Sequence, residues 1–163
     1  MNPGGALPGE ARRALAAWRA AGQRIVFTNG VFDLLHRGHV EYLAEARALG
    51  DRLVVGVNSD ASTRRLKGDA RPIVAAADRV ALLQALASVD LAVVFDEDTP
   101  ERLIREVAPD VLVKGGDWPL ERIVGRELVE SRGGRVLAIP LRAGFSTSAL
   151  VERIRSGRSA LEG

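Results

Sequence analysis

Five short apolar runs recur along the chain, at 25–27, 52–57, 91–95, 111–113 and 135–139, each rich in Val, Ile or Leu. They are continuous rather than alternating, which marks strands buried on both faces of a parallel sheet. Apolar positions at helical spacing fill the intervals, over 10–21, 37–49, 78–86, 100–107, 120–131 and 146–155. Thr99 suits an N-cap with Pro100 at the first helical position, and Gly133-Gly134 closes the helix before the last strand. Strands alternating with helices predict an α/β fold: one Rossmann-like domain with a doubly wound, parallel five-stranded sheet and right-handed crossovers. Residues 60–77 break the pattern, being polar and basic, with Arg64, Arg65, Lys67, Arg71, Gly68 and Pro72. A long loop is expected there, and loops of that length are usually functional. The Gly/Pro-rich stretch 1–9 reads as disordered and 156–163 as a frayed tail, leaving 10–155 as the domain.

In such sheets ligands bind beyond the carboxyl ends of the strands, where the strand order reverses. The polar motifs of this chain all follow strands, at 28–39, 58–60, 114–117 and 144–147. In the first, Thr28-Asn29-Gly30 ends a strand, and His36 and His39 flank Gly38 where a helix begins. Helical residues three apart share a face. A helix N-terminus adds free N–H groups and a positive dipole end, so this junction reads as a seat for a polyphosphate. The chain has only these two histidines. Ser146-Thr147 open the last helix in the same way, although an ordinary N-cap would look alike. Lys67 lies where a closing loop would bring it onto phosphates, with a solvated lysine as the plainer alternative. Lys114-Gly115-Gly116-Asp117-Trp118 follows a strand, and its glycines would let a nucleotide approach the backbone.

Composition narrows the partners. In 163 residues, 23 basic and 21 acidic side chains give a net charge of +2, too balanced for a nucleic-acid or membrane surface. No run reaches the roughly 20 apolar residues of a membrane span, and the start does not resemble a signal peptide. The absence of cysteine rules out thiol chemistry and fits a cytoplasmic protein. Zinc on a helix wants histidines four apart and a third ligand, so no protein-held metal is expected.

The stretch from Gly30 through Phe32, Asp33, His36 and Gly38 to His39 resembles the GxFDxxHxGH signature of the nucleotidyltransferases related to cytidylyltransferases. Asn58-Ser59-Asp60, Arg65-Leu66-Lys67-Gly68-Asp69, Glu97-Asp98-Thr99-Pro100, Lys114-Gly115-Gly116-Asp117 and Ser146-Thr147 follow in the order seen in one branch, the D-glycero-β-D-manno-heptose 1-phosphate adenylyltransferases. The resemblance spans residues 24–154 and implies transfer of AMP from ATP, with Mg²⁺, to heptose 1-phosphate, giving ADP-heptose and pyrophosphate. It implies catalytic roles for His36, His39, Lys67 and Thr147. Nucleotide contacts would come from Thr28, Asn29, Gly30, Phe32, Gly38, Lys114, Gly115, Asp117 and Ser146, beside the histidines and Thr147. Asp33, Asn58, Asp60, Lys67, Arg71 and Arg79 would face the acceptor. A separate sugar kinase and phosphatase would supply the substrate, and a homo-oligomer is compatible with the fold. Val74-Ala75-Ala76-Ala77 departs from the branch, which has a polar, proline-containing segment there. Two other readings stay open: a cytidylyltransferase acting on glycerol phosphate or another polyol phosphate, and a non-catalytic nucleotide sensor.

Overall fold

A computed structural model describes residues 7–159. Its five strands are β1 (Ile25–Gly30), β2 (Arg52–Asn58), β3 (Leu91–Phe95), β4 (Val111–Gly115) and β5 (Arg135–Ile139). All neighbours pair in parallel, in the order β3-β2-β1-β4-β5. The helices are α1 (Gly9–Ala20), α2 (Arg37–Arg47), α3 (Asp60–Lys67), α4 (Ala76–Gln84), α5 (Glu101–Val107), α6 (Arg126–Glu130) and α7 (Thr147–Arg155).

Successive strand residues point to opposite faces, and the core divides accordingly. On one face Phe27, Val54, Val93 and Leu112 pack with Leu15 of α1, Ile104 of α5 and Val129 of α6. On the other, Val26, Val55, Val57 and Val113 pack with Leu43 of α2 and Leu83 of α4. The sheet is therefore doubly wound, as its strand pattern predicts. The chain leaves β1 by one face and returns to β4 by the other, so the order reverses between β1 and β4.

Four local expectations are corrected. Residues 60–67 form α3, not a loop. Its inward face is Ser62 and Thr63, both buried, so no apolar period betrays it. Hydroxyls do the packing: the Ser59 side chain caps Ser62 N–H at 2.9 Å, Thr63 donates to the Ser59 carbonyl, and Ser62 donates to that of Glu97. Residues 120–131 hold a 3-10 turn (Leu120–Arg122) and short α6, separated where Ile104 of α5 presses against the backbone at Gly125. Helix α5 starts after Pro100, which takes the N-cap position expected of Thr99. At the N-terminus Leu7 is buried and its N–H donates to Glu106, so order begins within the stretch read as disordered. Residues 1–6 and 160–163, the rest of that stretch and half of the expected tail, lie outside the described residues.

Candidate active site

Two cavities open beyond the carboxyl ends of β1, β2 and β4. One, of about 390 Å³, is lined by Phe32, Asp33, His36, His39, Arg71 and Ser146 among others. The second, of about 420 Å³, is lined by Asn29, Gly30, Asn58, Lys114 and Trp118 among others. Val31 and Lys67 line both, so the two spaces share a wall.

The first cavity is built on the turn from β1 into α2. Phe32 and Leu34 both have φ near +50°, a costly conformation for side chains of this kind. Asp33, between them, holds them there. Its buried carboxylate accepts from Ile73 N–H (2.7 Å), Val74 N–H (2.9 Å) and Arg71 Nη1 (3.2 Å). Its carbonyl accepts from Thr147 Oγ1 at 2.6 Å. One residue thus ties the first loop to segment 71–74 and to the start of α7.

His36 is the N-cap of α2 and His39 the third residue within it, and their rings stack with centroids 3.9 Å apart. The His36 N–H points at His39 Nδ1 (3.3 Å), which leaves the proton of a neutral ring on Nε2 as a donor. Among the described residues, His36 Nδ1 is the buried side-chain polar atom without a hydrogen-bond partner. That nitrogen packs against the helix start at Gly38, so it is the other side of the ring that can meet a ligand. Burial lowers the pKa of both rings, and with His36 alongside brings His39 down to about 4, so the empty pair is neutral. Gly38 is required between them for the protein's own packing. A Cβ there would meet His36 Cε1 and Phe145 Cβ at 2.9 Å.

The expected site residues separate into groups. Phe32, Asp33, His36, Gly38, His39, Lys67, Arg71, Ser146 and Thr147 line the first cavity. Asn29, Gly30, Asn58, Lys67 and Lys114 line the second. Thr28 lies inside the core, its hydroxyl 2.6 Å from that of Tyr42, whose pKa burial pushes up to about 12. Arg79 is wholly buried and donates to the carbonyls of Val31, Asn58 and Val74 and to Asp60 Oδ1. Asp60 also caps α4 through Ala76 N–H, and Asn58 Nδ2 donates to Ser62. Gly115 lets Leu141 and Tyr42 come close, a role turned towards the protein rather than a ligand. Asp117 lines neither cavity.

Arg142 and Trp118 line these spaces without having been singled out from the sequence. Arg142 Nη1 is 2.6 and 2.7 Å from the two Glu41 oxygens, and its guanidinium lies over the Phe145 ring at 5.5 Å. Its place depends on a contact 101 residues away along the chain, which no local pattern announces. Trp118 stood within a motif already noted; its Lys114 contact gives it away only in three dimensions.

Among the described residues no three His, Cys, Asp or Glu side chains cluster to hold a metal. Asp33, the carboxylate of the first cavity, has both oxygens engaged. No helix among the described residues is long and apolar enough to cross a membrane.

The chain is 55% identical over 154 residues to the Bifunctional protein HldE of Rhodopseudomonas palustris (strain BisA53), an alignment covering 94% of this chain and 31% of that protein. It is 58% identical over 141 residues to that of Geotalea uraniireducens (strain Rf4), covering 86% and 29%. It thus spans less than a third of the length of these curated relatives. A solved structure, that of the lipopolysaccharide core biosynthesis protein from Thermoplasma volcanium GSS1, superposes with a TM-score of 0.60 at 36% identity, covering 74% of this chain and 98% of that one. Residues 27–156 match the cytidylyltransferase-like family model, so the strand order and the motifs meet in one conclusion: the chain belongs to the cytidylyltransferase-like family.

Proposed function

We propose that the protein is a nucleotidyltransferase that moves AMP from ATP to D-glycero-β-D-manno-heptose 1-phosphate, releasing pyrophosphate and ADP-heptose. The observation that supports this most directly is the stacked His36–His39 pair at the start of α2, lining one cavity with Lys67, Ser146 and Thr147. A phosphate oxygen of the sugar attacks the α-phosphorus of ATP, the α–β bridging P–O bond breaks, and the electron pair leaves on pyrophosphate. A phosphate monoester is already ionised, so no general base is needed. The protein's work is alignment and stabilisation of charge on the phosphate oxygens.

His36 and His39 donate to those oxygens. Approach of the polyanion favours their protonated forms, against the burial that keeps them neutral when empty. Ser146 and Thr147 present the first N–H groups of α7, while the Thr147 hydroxyl fixes the loop through Asp33. Lys67 stands in the wall common to both cavities, where charge passes between the reacting groups. Mg²⁺ arrives with ATP as part of the substrate. The reading places the enzyme in the cytoplasm, where ATP is abundant, with a sugar kinase and a phosphatase supplying heptose 1-phosphate.

Pyrophosphate release tests the proposal, with ATP, CTP, GTP and UTP offered in turn against heptose 1-phosphate and glycerol 3-phosphate. Release confined to ATP with heptose 1-phosphate is expected. Release with CTP and glycerol 3-phosphate would replace it with a polyol-phosphate cytidylyltransferase, and silence with nucleotide still bound would leave a sensor.

A further inference from the structure

Helix α3 carries Lys67 in its last turn, and that turn has little to hold it. The buried residues of the helix, Ser62 and Thr63, lie in its first half. Leu66 is 53% exposed, and among the described residues the side chains of Arg64 and Lys67 make no hydrogen bond or ion pair. Beyond Lys67 the chain turns away at Gly68, whose φ is +92°. The Lys114 ammonium has its pKa lowered by burial and then by Lys67, so like charge pushes these two lysines apart. A C-terminal turn so placed frays unless something ties it down.

Arg65 supplies the tie. Its Nε donates to Asp98 Oδ1 at 2.8 Å and its Nη2 to the Asp96 carbonyl. Both acceptors belong to the turn 96–99 between β3 and α5, and that turn is itself fixed from other sides. Ser59 Oγ donates to the Asp96 carboxylate, Ser62 Oγ to the Glu97 carbonyl at 3.1 Å, and Arg102 of α5 to the Glu97 carboxylate. Arg65 therefore grips a rigid anchor with two bonds of its planar fork, which sets direction as well as distance. Residues two apart on a helix project from opposite sides, so holding Arg65 fixes the rotation of the last turn about the helix axis. The place of Lys67, on the wall shared by the two cavities, is fixed with it.

We infer that Arg65 is a positioning residue: its clasp on Asp98 and on the Asp96 carbonyl holds the last turn of α3 so that Lys67 meets the reacting phosphates. This rests on the nucleotidyl-transfer reading above, which gives Lys67 its task. The clasp lies at the surface, with the Arg65 and Asp98 side chains 46% and 69% exposed, so it adds little to the stability of the whole fold. Its effect is local, the ordering of one helical turn. A displacement of about 1 Å can cost a reaction about a hundredfold in rate. A contact that hardly registers in unfolding therefore matters to turnover.

Arg65→Met tests the clasp with two readouts. Amide hydrogen exchange at residues 66–68 should speed up about tenfold, while the amides of β2 keep their protection. Tm should stay within about 3 °C of the parent. In pyrophosphate release, kcat should fall about tenfold. In a Lys67→Ala background the same substitution should cost less than about twofold, because the residue it positions is already gone. Unchanged exchange at 66–68 would overturn the clasp. A tenfold loss that persists without Lys67, or parental turnover despite faster exchange, would overturn the positioning role. A large fall in Tm would make Arg65 a structural residue and nothing more. Exchange needs no substrate, so the two readings fail separately. If no pair of nucleotide and acceptor releases pyrophosphate, nucleotidyl transfer falls and the role given to Lys67 falls with it, whereas the tie between Arg65 and the last turn of α3 is still decided by exchange.

Discussion

The start of α2 and the segment 58–79 both hold polar side chains that the sequence nominates for the site, yet they use them in opposite ways. His36 and His39 line a cavity, and among the described residues neither ring donates a hydrogen bond to the protein. Arg79, Asp60 and Asn58 are bonded to one another, to Ser62 or to carbonyls of the loops that frame that cavity. A buried polar group that is fully satisfied organises a fold; one left open awaits a ligand. The second region builds the frame on which the first is displayed.

The contrast is broken most severely at Arg79. Arg79→Met removes a wholly buried guanidinium and leaves three carbonyls and Asp60 without their donor. Stability should fall by about 3–5 kcal/mol, lowering Tm by on the order of 10 °C. Nucleotide KM, measured where the variant is still folded, should change little. A variant as stable as the parent but inactive would place Arg79 among the substrate contacts instead.

His39→Ala probes the other region and should give the mirror-image result. Turnover should drop about 10²–10³-fold, the usual effect of losing one donor to developing phosphate charge. Tm should barely move, because His39 accepts only a long 3.3 Å bond from His36 N–H. Near-parental turnover would remove the pair from the phosphate-binding role.

The two regions also differ in how far sequence revealed them. Strands such as Leu53-Val54-Val55 and the His36–His39 spacing are local signals, since period and proximity lie within one element. Helix α3 escaped because its packed face is Ser62 and Thr63, so hydroxyl bonds replace the apolar stripe that periodicity detects. The start of α4 escaped because its cap is the Asp60 carboxylate, 16 residues upstream of Ala76, and no residue beside the helix marks it. The resemblance turned Asp33 towards the acceptor, and no local pattern told that its carboxylate also accepts from the N–H groups of Ile73 and Val74, some 40 residues away. Sequence names the polar residues of a site well; whether each faces the ligand or the protein is decided by the tertiary fold.

A smaller effect sharpens the same distinction through pH. The His39 imidazole titrates near 6.5 when free and about 4 in the fold, lowered first by burial and then by His36. Between those values the unfolded chain binds the extra proton, so folding stability must fall as pH drops from about 6.5 towards 4 and be insensitive to this group above that window. The loss should stay below about 2 kcal/mol, because the half-exposed ring keeps part of its hydration. Carboxylates titrate over the same range, so the informative quantity is a difference. Urea unfolding at pH 7 and pH 5 should show a larger drop for the parent than for His39→Gln, which cannot take up the proton. Saturating MgATP should shrink the parent's drop, since the polyanion favours the protonated ring that burial opposes. Equal drops in parent and variant would mean that the empty pair is already hydrated and carries no stored preference for an anion. The open nitrogen atoms at the start of α2 would then differ from the satisfied network around Arg79 in geometry alone.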